Sequence, residues 1–87
     1  MNHSSLLRLH PNDNVLVAKT AIALGEVIAE FGVRARAQIP AGHKIAARAI
    51  AAGESVLKYD TMIGVAARDL QAGDYVHSHN LSLVDSY

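Results

Sequence analysis

The sequence predicts a small all-β domain made of short strands that meet at glycine turns. One pattern recurs: an aliphatic residue lies three positions before a glycine and a β-branched residue three positions after it. It occurs in Ile39–Ile45, Ile50–Val56 and Leu70–Val76, with a looser copy in Ile22–Ile28. Glycine adopts positive φ without steric cost, so each copy suits a turn between two strand ends. The copies are spaced too irregularly for a solenoid, which favours one compact β domain.

Length and composition limit the class of protein further. The 87 residues are enough for one domain, and we expect a disordered end over residues 1–5 and a single domain over residues 6–87. A chain of this size buries only about 60–65% of its unfolded surface, so a partner is expected to add stability. Hydrophobic residues make up 51% of the chain and aromatic residues 5%, which predicts a small aliphatic core.

Charge and apolar runs exclude several partners. The formal net charge is zero, so the chain lacks the cationic surface that binds nucleic acid. Its apolar runs are far shorter than the roughly 20 residues of a membrane helix, and its first residues do not resemble a signal peptide. It contains no cysteine, which excludes disulfides and thiolate zinc sites. We therefore expect a cytoplasmic protein with no membrane partner.

The first half of the chain contains the main ambiguity in secondary structure. Residues 6–9 predict a short strand that ends in a turn at His10–Asn14, because proline, asparagine and aspartate favour turns. Residues 15–31 are rich in helix-forming residues. A helix there would enclose Gly25 at a cost of about 1 kcal/mol. We therefore predict a strand over residues 15–19, a turn around Ala23–Gly25 and a strand over residues 26–31.

Residues 33–37 alternate apolar and charged side chains, which is the period of a half-exposed strand. Arg34 and Arg36 would then share one exposed face. Two interpretations remain open for this pair. The arginines form salt bridges within the chain, or they form a cationic patch that binds a carboxylate ligand in bidentate fashion.

The second half predicts further strands. Residues 56–66 contain two apolar segments around Asp60-Thr61, which suits a hairpin turn, although the two segments could also pair with other strands. Residues 81–84 predict a final strand.

Two histidines occupy positions at which the copies of the pattern differ. The residue after the glycine is acidic in three copies and is His43 in the fourth; the acidic residues are Glu26, Glu54 and Asp74. The residue four positions after the glycine is His77 in the last copy and an aliphatic residue in the others, namely Ala29, Ala46 and Leu57. Because a shared scaffold does not explain them, both histidines are candidate functional residues.

His77 and His79 form a second candidate pair. On an extended strand, residues separated by two leave the same face with Cβ atoms about 6.5–7 Å apart. Two imidazoles at that distance can bind one metal ion or one anion. A third metal ligand would come from His43, Asp74, water or another chain. We also expect His43 to lie on the same side of the domain as His77 and His79.

Several segments together resemble a known family. They are the IPAGHKIA segment around His43, the GESVLKY segment followed by Ile63-Gly64, and the closing GDYVHSHN segment that ends at Asn80. Over residues 6–82 the chain is similar to the small N-terminal domain of the altronate and galactarate dehydratases. The resemblance implies a SAF domain with the β-clip fold of type III antifreeze proteins. It also implies enzymes that eliminate water from sugar acids with a divalent metal, iron or manganese.

The resemblance implies a role for the chain and for its residues. The expected function is that of a small SAF domain or subunit of a sugar-acid dehydratase, inactive alone and completed by a large catalytic subunit or domain. His43, Lys44 and His77 are the predicted catalytic residues. His79, Asn80 and Arg36 are the predicted substrate-binding residues, with His77 and His79 as candidate metal ligands.

Two alternative functions and one further partner remain open. Related enzymes eliminate sulfite from sulfolactate as two separate subunits, so the chain could be the small subunit of such a sulfo-lyase. It could also be a non-catalytic module that binds a sugar acid or a protein. A second copy of the chain is a further possible partner.

Overall fold

The computed structural model describes residues 5–83, and within that range it confirms the predicted all-β fold. The single helical element described is one 3₁₀ turn, η1. The strands are short, as the glycine spacing predicts. They are β1 (Leu6–Leu7), β2 (Val15–Ala18), β3 (Val27–Ile28), β4 (Val33–Arg34), β5 (Lys44–Ala46), β6 (Ser55–Lys58), β7 (Thr61–Ala66), β8 (Tyr75–Val76) and β9 (Leu81–Ser82).

The strands form three small antiparallel sheets. The central sheet has the order β1-β2-β5-β8, with Leu16 opposite Ile45 and Ile45 opposite Tyr75. Strands β3 and β4 form a hairpin, and β6, β7 and β9 form the third sheet. Strand β5 lies in the middle of the central sheet, so it joins the first half of the chain to the second.

The two halves repeat one pattern of backbone hydrogen bonds. In the first half Ile22 and Ile39 exchange both N–H···O bonds, and in the second half Ile50 and Leu70 do the same. The other bonds match in the same way. Gly25 donates to Ala35 as Gly53 does to Ala66, Gly42 donates to Ala18 as Gly73 does to Ala46, and Ala18 donates to His43 as Ala46 does to Asp74. The domain is therefore an internal duplication.

The glycine corners have the predicted backbone conformation. Gly25, Gly42, Gly53 and Gly73 have φ values of 85°, 84°, 83° and 94°. At each corner the residue after the glycine donates its N–H to the carbonyl three positions earlier; in the central copy His43 donates to Pro40 at 3.1 Å. These are turns with glycine at the third position, where a side chain would be strained.

The core consists of two aliphatic clusters on opposite faces of the central sheet. One contains Leu16, Ile22 and Ile45, and the other contains Ile50 and Val56, among other residues. Ile45 and Ala46 are neighbours in β5, yet Ile45 belongs to the first cluster and Ala46 to the second. Alternation along the strand explains this, because successive side chains leave opposite faces. Strand β5 therefore contributes to both halves of the core.

The turn predicted at residues 10–14 also connects the two halves. The buried Asp13 carboxylate accepts the N–H groups of Tyr59 and Asp60 at 2.8 and 2.7 Å. The side chain of Asn14, 2% exposed, accepts from Leu57 N–H and donates to the Ser55 carbonyl, both at 2.8 Å. These bonds fix the β6–β7 hairpin against the loop before β2.

Several predicted boundaries are wrong by a few residues. The strand predicted over residues 6–9 ends at Leu7, and the one predicted over residues 33–37 ends at Arg34. The strand predicted over residues 26–31 ends at Ile28, and η1 (Ala29–Phe31) follows because Gly32, at φ 64°, closes a tight turn. The strand predicted over residues 15–19 ends at Ala18. The β6–β7 turn is centred on Tyr59 and Asp60, with φ values of 56° and 57°, one residue before the predicted position.

Other expectations concern the ends of the chain. In the predicted disordered end, Ser5 accepts the N–H of Lys19 at 2.7 Å, and residues 1–4 lie outside the described range. The predicted final strand is present at Leu81–Ser82, while Val84 and the last three residues lie outside the described range. Between residues 5 and 83 there is no helix long and apolar enough to cross a membrane.

Candidate functional site

The position after each corner glycine has a structural task at three of the four corners. Glu26, Glu54 and Asp74 each accept, through a side-chain oxygen, the N–H of the residue three positions earlier, at 3.1, 3.0 and 2.8 Å. The donors are Ala23, Ala51 and Gln71. An acidic side chain thus stabilises these turns, as an N-cap residue stabilises a helix.

His43 has no such task, because the residue three positions earlier is Pro40, which has no backbone N–H. An acidic side chain at position 43 would find no donor there. The departure of His43 from the acidic pattern therefore has a physical reason, and its imidazole is available for another role.

That imidazole lies in a group of four ring side chains, which we call the His–Tyr cluster: His43, Tyr75, His77 and His79. The hydroxyl of Tyr75 is 2.6 Å from Nδ1 of His43, a strong hydrogen bond whose direction depends on the tautomer of the ring. The ring centroids of His43 and His77 are 5.1 Å apart. Tyr75 stacks on His77 at 5.4 Å, and its ring centroid is 5.7 Å from that of His79.

The duplicated fold explains how these residues meet. Tyr75 lies opposite Ile45 in neighbouring strands, and His43 precedes Ile45 by two, so the side chains of His43 and Tyr75 leave the same face of the central sheet. His77 follows Tyr75 by two. The expected proximity of His43 and His77 is therefore observed, although 33 residues lie between them in the sequence.

The predicted extended strand through His77 and His79 is wrong, because β8 ends at Val76 and residues 77–80 form a turn. The buried side chain of Asn80 fixes this turn: its Oδ1 accepts His77 N–H at 3.0 Å, and its Nδ2 donates to the Tyr75 carbonyl at 2.8 Å. Asn80 was predicted to bind substrate, and here it bonds to the backbone. It thereby orients the residues of the His–Tyr cluster.

Lys44 does not join the His–Tyr cluster. Along β5 it precedes Ala46 by two, so it leaves the sheet on the face opposite to Ile45 and His43. Partial burial lowers the pKa of Lys44, and the nearby charge of Lys58 lowers it further. The structure thus separates Lys44 from the other two residues of the predicted catalytic set.

Arg36 is paired within the chain, which was one of the two interpretations left open by the sequence. Its Nε donates to the Asp74 carboxylate at 2.7 Å, and its backbone N–H donates to the Gly73 carbonyl. The guanidinium is half-exposed, so the pair lies at the surface. Arg36 therefore braces the fourth corner, and its predicted contact with substrate stays a prediction.

The described residues do not fit a complete metal site. Between residues 5 and 83, no three histidine, aspartate or glutamate side chains converge to hold a metal ion. Of the expected third ligands for the pair His77 and His79, Asp74 is bound to Arg36, and His43 is bound to Tyr75. The chain alone thus offers imidazoles for proton exchange or hydrogen bonding.

Tyr75 was not among the predicted site residues, although the sequence contained a signal for it. It precedes His77 by two in the GDYVHSHN segment, so the same alternation that paired the histidines also placed a phenol beside them. The cluster opens to solvent: His43 is half-buried, while His77 and His79 are exposed. These groups are therefore free to contact a ligand or another polypeptide.

The fold and the cluster define a class of protein: a small duplicated β domain that presents histidine and tyrosine side chains at its surface. The chain belongs to the altronate/galactarate dehydratase SAF domain family, whose match covers residues 4–84. The family resemblance predicted from the sequence is thereby confirmed.

Similarity to individual proteins agrees with this membership. The chain is 38% identical over 78 residues to altronate dehydratase of Bacillus subtilis, and the matched region is 87% of this chain and 16% of the relative. It is 39% identical over 87 residues to altronate dehydratase of Escherichia coli, and the matched region is 93% of this chain and 18% of the relative. It is also 45% identical over 51 residues to the (2R)-sulfolactate sulfo-lyase subunit alpha of Paracoccus pantotrophus, and the matched region is 59% of this chain and 76% of that subunit. The chain spans less than a fifth of the length of the two dehydratases.

Proposed function

We propose that this chain is the SAF unit of a sugar-acid dehydratase and contributes the His–Tyr cluster to an active site completed by a large catalytic subunit or domain. The main support is the convergence of His43, Tyr75 and His77 from two separate corners of the duplicated fold. The similarity of the chain to less than a fifth of two altronate dehydratases supports the need for a partner. The absence of cysteine is compatible with a cytoplasmic enzyme.

The reaction is the elimination of water from a hydroxy acid. A base removes the proton from the carbon next to the carboxylate, and the hydroxyl group on the neighbouring carbon accepts a proton from an acid and leaves as water. In this proposal the pair of His43 and Tyr75 exchanges a proton with the reacting groups, and His77 holds an oxygen of the acid. Imidazole suits this task because it gains and loses protons near neutral pH.

A divalent metal, iron or manganese, belongs in this proposal to the complete enzyme. The described residues of this chain do not gather three ligands, so the partner would supply most of the metal ligands. His77 and His79, both exposed, are the residues of this chain that remain free to approach it.

The test is the activity of the assembled enzyme. A tagged chain is purified with its partner from the native cell, and dehydration of altronate and galactarate is followed as formation of the keto acid. We expect His43→Ala and His77→Ala each to lower turnover by at least 100-fold, in line with the contribution of a positioned proton carrier. Tyr75→Phe keeps the ring and removes the hydroxyl, so a loss in this variant assigns the effect to the His43–Tyr75 bond.

His10→Ala is the matched control, because His10 bonds to Asn12 and lies near Asp60, outside the cluster. It should retain full turnover. Full activity of both His43→Ala and His77→Ala, in complexes that still assemble, would contradict the proposal.

The second candidate is the small subunit of a sulfolactate sulfo-lyase. The observation that favours it is the 45% identity to a separate alpha subunit, of which the matched region covers 76%. The two functions differ in the leaving group, and the same complex distinguishes them. Release of sulfite from sulfolactate supports the sulfo-lyase, and formation of a keto acid from a sugar acid supports the dehydratase.

A binding module is the remaining alternative. It predicts that the chain purifies without a large partner and binds a sugar acid tightly by itself. Titration calorimetry of the isolated chain measures this directly, and micromolar affinity in the absence of any partner would favour the module over the enzyme subunit.

A further inference from the structure

A surface pocket of about 220 Å³ lies beside the His–Tyr cluster. Tyr75 and His79 line it, together with the charged residues Arg68, Asp69 and Asp74. This volume is below the roughly 300–1,000 Å³ of pockets for drug-sized ligands, so it suits a small polar molecule.

Arg68 is the cation of this pocket. Its Nη2 donates to the carbonyl oxygen of His79 at 3.2 Å, which links the guanidinium to the turn that carries the cluster. No ion pair of Arg68 is present among residues 5–83, whereas Arg36 and Arg48 are paired with Asp74 and Glu54. The remaining N–H groups of Arg68 can therefore bind an external acid, and a guanidinium matches a carboxylate with two parallel hydrogen bonds.

The two carboxylates of the pocket are held by bonds inside the domain. Asp69 accepts the N–H of Ala52 at 2.8 Å, and Asp74 accepts from Arg36 at 2.7 Å and from Gln71 N–H at 2.8 Å. Each carboxylate has oxygen lone pairs beyond these bonds, which can accept from hydroxyl groups. One guanidinium beside two acceptors therefore suits a molecule with a carboxylate and several hydroxyl groups.

We propose that this pocket is a subsite for a polyhydroxy acid, in which Arg68 binds a carboxylate group and Asp69 and Asp74 accept hydroxyl groups. The proposal rests on the function proposed above and adds the residue that anchors the acid. The acid bound at Arg68 lies next to Tyr75 and His79, so the rest of the molecule extends along the His–Tyr cluster.

The test measures binding to the full chain without a partner, by nuclear magnetic resonance titration of ¹⁵N-labelled protein. The probes are galactarate, with two carboxylates, and galactitol, the neutral polyol of the same length. We expect galactarate to shift the signals of Arg68, Tyr75 and His79 with a dissociation constant of roughly millimolar size, as fits a half-formed site. Galactitol should leave these signals unchanged.

Arg68→Gln should weaken galactarate binding at least tenfold, and Arg68→Lys should weaken it by an intermediate factor, because an ammonium keeps the charge and loses the paired geometry. Lys19→Gln is the control: it removes the same charge from an exposed residue that does not line the pocket. It should change binding less than twofold. The amide spectrum of each variant verifies that the fold is intact.

Three outcomes would overturn the proposal: no galactarate shift at the pocket residues up to 50 mM, equal shifts with galactitol, or equal weakening by Lys19→Gln and Arg68→Gln. The result is separate from the test of the proposed function. Binding through Arg68 together with full turnover in His43→Ala would retain the subsite and reject the catalytic role of the cluster. Loss of turnover in His43→Ala without binding at Arg68 would do the reverse.

Discussion

Glu54 shows how one carboxyl group supports a corner of the domain. Its oxygens accept from Arg48 Nη2 at 2.5 Å and from the N–H of Ala51 at 3.0 Å. The hydrogen bond from Arg48 and then the one from Ala51 lower the pKa of Glu54 below its ordinary value of 4.5. Both bonds favour the charged carboxylate, so the corner is best supported when Glu54 is ionised.

The lowered pKa predicts a loss of stability in acid. Between the folded pKa and the unfolded value of 4.5, the unfolded chain binds more protons at Glu54 than the folded chain does. The contribution of Glu54 is therefore present above pH 4.5 and is lost as the pH falls through its folded pKa. When the free energy of unfolding in urea is measured from pH 7 to pH 2.5, it should fall less in Glu54→Gln than in the unaltered chain.

Glu30→Gln provides the comparison, since Glu30 is exposed and has no ion pair within residues 5–83. It should leave the slope in acid unchanged. Identical acid slopes for the unaltered chain and Glu54→Gln would show that this carboxyl group does not support the corner.

Some residues of the candidate site were predictable from the sequence, and others were not. His43 and His77 were found because they break a repeated pattern, and the structure brings them together. Arg68 carried no such mark, since it lies between copies of the pattern and its importance depends on a pocket formed by distant segments. Asn80 was recognised, but its bonds to the backbone depend on a turn that alternation alone does not predict.

Among the elements, the glycine corners are alike in backbone and differ in their surroundings. A Cβ atom added at Gly42 would meet no atom within 4 Å, whereas one at Gly73 would collide with the Arg34 carbonyl oxygen. Both positions have positive φ, which strains any side chain.

We therefore expect Gly42→Ala to destabilise the domain by about 1 kcal/mol, from backbone strain alone. Gly73→Ala should cost roughly 2–4 kcal/mol, because β4 must also move away from the corner. The free energy of unfolding in urea measures both. Equal costs would mean that β4 yields freely at Gly73, contrary to the close approach of the two backbones.

The sequence predicted the type of most strands and turns better than it predicted their boundaries. The spacing around glycine outweighed the helix propensity of residues 15–31, because packing of aliphatic residues on both sides of a turn decides the conformation there. The 3₁₀ turn Ala29–Phe31 was missed, since it is closed by Gly32 alone and no periodicity announces a single turn. The hairpin turn at Tyr59-Asp60 was displaced by one residue because Asp13 holds both N–H groups from a distance in sequence.

At the scale of the whole molecule, Asn14 connects the two halves. It belongs to the loop before β2, and its buried side-chain amide bonds to β6, at Ser55 and Leu57. Asn14→Ala would remove the partners of the Leu57 N–H and the Ser55 carbonyl, both partly buried, so we expect a loss of about 1–3 kcal/mol. Hydrogen exchange at the Leu57 amide should accelerate in this variant more than exchange in the central sheet.

Asn12→Ala is the matched control, because the Asn12 amide bonds to Asp60 at the surface. Its cost should stay within about 0.5 kcal/mol. Equal stability of the Asn12 and Asn14 variants would show that the halves are held together by apolar packing alone.

The duplication was only partly visible in the sequence. Four similar corners were recognised, but their pairing into two equivalent halves requires the matching hydrogen bonds of Ile22 with Ile39 and Ile50 with Leu70. The hairpins inside the halves, β3–β4 and β6–β7, differ in length and hide the correspondence. Long-range pairing of this kind is set by the whole fold and leaves no local pattern.

Pro40 has a consequence for the descent of this domain. Because Pro40 has no N–H, an acidic side chain at position 43 would lack the donor that the acids of the other three corners bind. Substitutions at positions 40 and 43 are therefore expected to occur together in evolution. In a lineage that replaced the proline, the N–H at position 40 could again donate to an acidic side chain at position 43. That hydrogen bond would favour an acid over histidine at this position. Pro40 holds this turn through its carbonyl, which accepts the N–H of His43, and its missing N–H lets this corner carry an imidazole while the other three corners keep an acidic residue.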